Sequence, residues 1–539
     1  MSKSFWVYIY LSASVLLLSC GEPRVPVDTI ITANKIYICN EAFDVAEAIA
    51  IKDSKIVAFG SQRDINYTYS SENIQDYVGV IYPGFIDAHS HFYGYGNTLN
   101  KVDLRETTSL ENVIDKTVEF AQNSNEYWIT GRGWDQTNWE QKGTISNLRL
   151  SIFFPDRPVF IKRIDGHAGL ANAKALELAG ITPATQIDGG TIAVKNGQLT
   201  GLITDNAMAL VDNIIPPPSR ASEIQALLKA QENCFKAGLT TVTDAGLNLS
   251  TILLIDSLQQ SGDLTIRIYA MANPNEENFT YFEKNGEIST NRLQVSSIKI
   301  YADGALGSRG ARLKQPYCDH GNNTGIWVTS PNQIDSLCQR IDALDFQANT
   351  HCIGDSANRL VLDIYGNYLK DKNDKRWRIE HAQVVTPVDR ELFTRYSILP
   401  SVQPTHATSD MNWANNRLCM DRMQGAYAYK SLLALNGYLP LGTDFPVEEI
   451  YPLHTFHAAV YRQDKHMKPL GGFLPEESLS TKQALLGMTR WAAKANRMED
   501  RIGSLAIGKL ADYVVLDRDI VYEKYMLKTG ILKTVIADQ

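Results

Sequence analysis

Two histidines one residue apart, His89 and His91, end the run Pro83-Gly84-Phe85-Ile86-Asp87-Ala88-His89-Ser90-His91. On a strand, residues i and i+2 share a face, so both imidazoles can reach one ion while Ser90 turns away. A His-x-His pair alone is weak, because such pairs are common on surfaces. Its weight comes from Lys299, His351, His381 and Asp444, each on or just after its own run that reads as a strand. Taken singly, His351 and His381 read as satisfied structural histidines, and Asp444 as a turn cap before Pro446; their joint placement argues otherwise. Imidazole nitrogen and carboxylate oxygen are the donors that borderline divalent ions such as zinc accept. An ion with an open position lowers the pKa of a bound water from about 15.7 to roughly 7. A carboxylate beside that water can accept its proton and pass it to a leaving group, the role that suits Asp444. Lys299 has two readings, a group at the metal or a structural cation paired with Asp303 or Asp444.

Residues this far apart in sequence meet only if strands present them at one end of a sheet. Eight apolar runs are spaced for that: residues 78–86, 239–243, 265–270, 297–301, 346–350, 377–380, 398–402 and 438–442. Helical patterns lie between them; residues 356–369, for example, place Leu360, Val361, Ile364, Tyr365 and Tyr368 on one stripe. Eight strand–helix units predict an α/β fold, a (β/α)₈ TIM-like barrel with its active site at the strands' C-terminal ends. Residues 97–218 break the alternation and are far too long for an ordinary loop. Leaving from the C-terminal end of strand one, they read as a lid-like insertion over the barrel mouth. The two chain ends differ again, with short strands and turns in residues 27–77 and 503–539. These predict a small β-sandwich domain made from both ends, with the barrel, residues 78–502, between them.

The chain has 539 residues with 44% hydrophobic and 21% charged, ordinary values for a globular protein. A net charge of −8 without a Lys/Arg-rich run excludes a nucleic-acid partner. Lys3 precedes an apolar run to Leu18, short for a membrane span and suited to a signal peptide. Its end, Leu17-Leu18-Ser19-Cys20-Gly21, resembles a lipoprotein cleavage box. That resemblance implies removal of residues 1–19, a lipid on Cys20, and a linker over residues 20–26. The expectation is a bacterial cell-envelope protein, facing the periplasm or the cell surface and touching membrane only through this anchor. Six other cysteines, Cys39, Cys234, Cys318, Cys338, Cys352 and Cys419, are scattered without a Cys-x-x-Cys motif. They read mostly as buried small side chains, with room for one or two disulfides in an oxidising compartment.

Taken together, the motifs resemble the amidohydrolase superfamily, in particular its YtcJ-like, amidohydrolase-3 branch, which includes N-substituted formamide deformylase. The resemblance rests on the segments 83–91, 299–309, 351–355, 378–383, 403–406, 442–447 and 508–512. It implies a metal-dependent hydrolase that cleaves a C–N bond other than a peptide bond, usually an amide, in a small molecule. It also implies His89, His91, Lys299, His351, His381 and Asp444 as metal residues, with Asp444 the general base. Lys299 lies where relatives with two metals carry a carboxylated lysine, so the expectation is one or two zinc-like ions, two if Lys299 is carboxylated. His406, Asp303, Arg309, His167 and Trp134 are candidates for holding substrate, each with a packing or bracing role as the alternative. An ester or lactone hydrolase on the same site, a non-catalytic binding lipoprotein and a homodimer all stay open.

Overall fold

β-Branched and aromatic runs separated by amphipathic helices pair in parallel, because a helical crossover returns the chain in the same direction. The computed structural model describes residues 24–537, apart from 125, 137–138, 140–144, 164–167, 188–189, 308 and 524–525. Seven strands pair in chain order: β1 Phe85–Ser90, β2 Leu239–Leu247, β3 Arg267–Ala272, β4 Leu293–Tyr301, β5 Gln347–Cys352, β6 Arg378–His381 and β7 Leu399–Ser401. Every pairing between them is parallel.

The eighth position is filled without a full ladder. Pro440 has no N–H to give, and a single bridge joins Val402 to Leu441. Hydrogen bonds nevertheless run to both neighbours: Val402 N to Pro440 O (3.2 Å), Gly442 N to Val402 O (3.0 Å), Ala88 N to Leu441 O (3.2 Å) and Asp444 N to His89 O (2.8 Å). The eighth segment thereby closes the barrel between β7 and β1.

The run 78–86, expected as one strand, divides at Gly84. Strand Asn73–Pro83 belongs to the terminal β-domain, and β1 starts at Phe85. A Cβ on Gly84 would stand 2.3 Å from Thr240 Oγ1, so only glycine lets the chain pass β2 so closely. Both chain ends contribute to a six-stranded sheet in the order Ile531–Val535, Tyr513–Leu516, Asn73–Pro83, Thr29–Tyr37, Val45–Lys52, Lys55–Gly60. One face packs Ile31, Ile49, Ile81 and Val515, and the other packs Ile30, Ala48 and Ala50 against Ile65. The second layer on that side is helix Gln62–Thr68 and the two-residue pair Val25–Pro26 with Tyr69–Ser70.

Within 97–218 lies a separate sheet of six strands, Val102–Asp103, Ile129–Trp134, Val159–Arg163, Ala168–Ala171, Gln198–Asp205 and Gly190–Lys195. It has its own apolar clusters, one around Trp134, Trp139 and Leu150 and another around Phe160, Leu176 and Ile203. Residues Arg105 and Glu106 are within electrostatic reach of Glu449 and Lys465, which follow the eighth segment.

Cys318 and Cys419 are disulfide-bonded, tying the loop after β4 to the helical segment after β7. Cys39, Cys234, Cys338 and Cys352 are buried free thiols. The N-terminal segment with Cys20 lies outside the described residues, and among those described no helix is long and apolar enough to cross a membrane.

A buried ion pair joins the C-terminal segment to the barrel. Arg267, on β3, donates to Asp512 through Nε (2.7 Å) and Nη2 (3.1 Å) and to Ala537 O (3.1 Å). Removing one partner of a buried pair leaves an uncompensated charge and costs about 3–5 kcal/mol. Asp512→Ala should therefore lower the midpoint of thermal or urea unfolding clearly; an unchanged midpoint would show that the C-terminal segment is joined to the barrel by other contacts.

Candidate metal centre

The strand ends bring His89, His91, Lys299, His351, His381 and Asp444 to one end of the barrel. His406 joins them from helix Pro404–Asp410, which follows β7. Asp444 is central. Its Oδ1 lies 3.2 Å from His91 Nε2 and 3.7 Å from His89 Nε2, and its Oδ2 lies 3.4 Å from His406 Nε2. Two groups of donors thus share this carboxylate, His89–His91–Asp444 and His381–His406–Asp444. His381 sits between rings, with centroids 4.8 Å from His89, 4.5 Å from His351 and 5.6 Å from His406.

Local backbone makes this convergence possible. Glu380 and His381 are adjacent, and adjacent strand residues normally point to opposite faces. Both nevertheless face His89, because His381 has φ +71° and turns its side chain back toward the centre. Asp444 is likewise left-handed, at φ +65°. Left-handed backbone in a non-glycine residue is a strain that the surrounding contacts must hold. Asp87 helps to hold it, accepting from His89 N (3.0 Å), Thr443 N (3.1 Å) and Thr443 Oγ1 (2.7 Å), so that one carboxylate clasps β1 to the eighth segment. Burial pushes Asp87 up to about 7 against those hydrogen bonds. Asp244 accepts from Tyr93 N (2.9 Å) and caps helix Phe92–Leu99, for which His91 supplies no side-chain cap.

His89, His351 and His381 are set up as neutral donors. His89 Nδ1 is 2.6 Å from Glu380 Oε2, and His91 Nδ1 is 2.9 Å from Ala245 O. A hydrogen on Nδ1 in each leaves the Nε2 lone pair facing Asp444. Burial, with the Lys299 ammonium nearby, lowers His351 to about 3, and burial with the neighbouring imidazoles lowers His381 well below the usual range. Burial works to raise Asp444, but His91, His89 and His406, where they carry a proton toward it, hold it below the ordinary carboxylate range. Burial lowers Lys299 to about 8 although Glu380 and Asp444 oppose it, and its Nζ lies 3.3 Å from His89 Nε2. The donor set fits a divalent ion on a further count. His351 Nε2, His381 Nδ1, His406 Nε2 and Asp444 Oδ1 are buried with no hydrogen bond among the described residues, an expensive state unless something binds them.

The residues expected to hold substrate divide. His406 reaches the centre and contacts Asp444 rather than standing apart from it. Asp303 is buried near His351 (3.8 Å), but it accepts from the backbone N–H of Ile353, Gly354 and Arg312 and so pins two loops. Arg309 faces away, with its guanidinium on Asp319, which Arg417 also binds. Trp134 is packed into the insertion's own core with Nε1 on Ile161 O (3.1 Å), so it does not reach the site. This is the packing role that the sequence left open for it. His167 lies outside the described residues. Glu380, Asp87 and Asp244 had no place in the expected site; for Glu380 the signal was available, a carboxylate directly before a ligand histidine.

Gly442 tests how tightly this geometry is held. A Cβ there would meet His89 N at 2.5 Å and Asp87 Oδ1 at 2.8 Å. Gly442→Ala should displace the eighth segment from β1 and reduce bound metal per chain, measured by elemental analysis; parent-level metal in a folded variant would show that the clasp is dispensable.

Comparison with known proteins agrees with this geometry. Residues 79–538 match the model of the amidohydrolase family. The chain is 31% identical over 498 residues to the putative amidohydrolase YtcJ of Bacillus subtilis, covering 90% of this chain and 93% of that protein. It is 30% identical over 510 residues to the protein LONG AFTER FAR-RED 3 of Arabidopsis thaliana, covering 91% and 87%. N-substituted formamide deformylase of Arthrobacter pascens is 24% identical over 503 residues, covering 88% and 91%. Among solved structures, an uncharacterized metal-dependent hydrolase from Pyrococcus furiosus superposes with a TM-score of 0.77 at 26% identity, covering 92% of this chain and 99% of that one. With a family match over most of its length and metal-dependent hydrolases among its structural relatives, the chain belongs to the amidohydrolase family and is a metal-dependent hydrolase.

Proposed function

We propose that the chain hydrolyses an amide-type C–N bond of a small molecule, with Asp444 as general base. The observation that carries this is the position of Asp444, ionised, buried and shared between two groups of imidazoles. His89, His91 and Asp444 would hold the first ion, with His351, His381 and Lys299 beside it. A zinc-like divalent ion bound there supplies Lewis acidity toward a carbonyl and makes a water acidic enough to attack near neutral pH. Asp444 takes a proton from the attacking water as its oxygen bonds the carbonyl carbon. The C–N bond then breaks, and Asp444 returns the proton to the departing nitrogen. His351 and His381, held neutral, and partly buried His406 keep the surroundings of that carbonyl polar. The formamide-cleaving activity in the name of the Arthrobacter relative supports the amide reading.

The ion count turns on Lys299. A free ammonium repels a second cation, whereas a carbamate on Nζ offers two anionic oxygens, so two ions are expected if Lys299 is carboxylated and one if it is not. We also propose that the chain is exported and anchored through a lipid on Cys20. The Cys318–Cys419 disulfide supports this, since such bonds persist outside the reducing cytoplasm.

Four measurements check these readings. Elemental analysis of chelator-free protein should find about one or about two zinc-like ions per chain, lost on His89→Ala; no metal, even after reconstitution, would remove the hydrolytic mechanism. Asp444→Asn should lower kcat on an amide substrate by roughly 10²–10⁴, whereas a loss below tenfold would place the base elsewhere. A matched panel of formamides, acetamides and the corresponding esters and lactones should show amide turnover; ester or lactone turnover alone would replace that assignment. For the anchor, labelling with a radioactive fatty acid should disappear in Cys20→Ala.

A further inference from the structure

The two histidines of the first metal group are chemically unequal. His91 rests its Nδ1 on a neutral backbone carbonyl, Ala245 O at 2.9 Å. His89 rests its Nδ1 on a carboxylate, Glu380 Oε2 at 2.6 Å, and both side chains are wholly shielded from solvent. Charge-assisted hydrogen bonds are about twice as strong as neutral ones. A cation stands behind the carboxylate without a hydrogen bond to its second oxygen. Arg378, two residues earlier on β6 and on the same face, places Nη1 3.7 Å from Glu380 Oε1. The guanidinium is fixed by Ala495 O (2.5 Å), Asn496 Oδ1 (2.6 Å) and Ala88 O (3.4 Å), and lies over the Tyr269 ring at 5.2 Å. Asn496 continues the chain of contacts to Thr243 on β2 (3.0 Å).

From this geometry we infer that Glu380, backed by Arg378, is the positioning residue for His89. It fixes the imidazole's orientation and the hydrogen on Nδ1, and so makes His89 the stronger donor of the His-x-His pair toward a divalent cation. The inference rests on the reading of His89 as a metal ligand. The distances separate the roles of the two acidic residues. Glu380 touches only the far side of the ring, whereas Asp444 faces Nε2. Glu380 therefore acts through His89 and not on substrate. Arg378 supplies the positive charge without which a buried carboxylate beside a metal ligand would be costly.

A partner that holds a ligand histidine typically contributes 10–100-fold in metal affinity. In Glu380→Gln the side chain keeps its shape but loses its charge, and its amide can turn an N–H toward Nδ1 and so put the ring hydrogen on Nε2. The expected result is zinc binding weakened roughly 10- to 100-fold in competition with a chromophoric chelator, together with an altered visible spectrum of the cobalt-substituted protein. Metal-free unfolding temperatures measured alongside separate this from a general loss of fold. If Glu380→Gln does not fold, Glu380→Asp keeps the charge but withdraws it by one methylene, and weaker zinc binding is again expected. Parent-level zinc affinity with an unchanged cobalt spectrum in either folded variant would overturn the inference and leave Glu380 as barrel packing. A parent protein that binds no metal would instead remove the reading of His89 on which the inference stands.

Discussion

The site depends on the seam between β1 and the eighth segment. Asp444 N donates to His89 O at 2.8 Å, and Asp87 accepts from both sides of the same seam. His89 and His91 belong to one edge of that seam and Asp444 to the other, so the register across it decides whether imidazole and carboxylate meet. Nothing in the eighth segment makes a regular strand, because Pro440 lacks an N–H and Asp444 is left-handed. Closure is thus carried by a few hydrogen bonds and a buried carboxylate. The same elements that complete the barrel complete the donor set.

Around this seam lies an unusual concentration of buried polar groups. Lys299, Glu380, Arg378 and His89 are fully buried, with His381 and Asp444 nearly so. Unpaired buried charges are expensive, and here each faces a partner: Glu380 lies between His89 and Arg378, and Asp444 lies among three imidazoles. Atoms without a hydrogen bond among the described residues include Glu380 Oε1 and Arg378 Nε behind the site, and the imidazole nitrogens and Asp444 Oδ1 at its centre. That pattern distinguishes a ligand-binding centre from a structural polar core, in which such atoms would be satisfied by one another.

Much of this was legible in the sequence, because alternation along a strand is a strong constraint. His89-x-His91 and the strand-terminal placement of His351, His381 and Asp444 follow from it, as does the succession of barrel strands. What could not be read depends on backbone that departs from the regular pattern. Period-two alternation turns Glu380 away from His381, and only the left-handed turn at His381 reunites them. Gly84 hides the break between the terminal sheet and β1 inside one apolar run. Trp134 stayed divided between pocket and packing because nothing in its sequence says that the insertion has a sheet and core of its own, and Arg309 finds Asp319 through a loop whose path no local rule sets. The Cys318–Cys419 pairing spans 101 residues and is equally invisible to local rules.

The central claim is that one ion is held jointly by His89, His91 and Asp444. Crystals grown with zinc and without chelator, measured on both sides of the zinc absorption edge, test it most directly. The account predicts an anomalous peak within about 2.0–2.3 Å of an imidazole nitrogen of His89, an imidazole nitrogen of His91 and a carboxylate oxygen of Asp444. An empty position there in zinc-loaded protein, or a peak bound only by residues away from the seam, would contradict it.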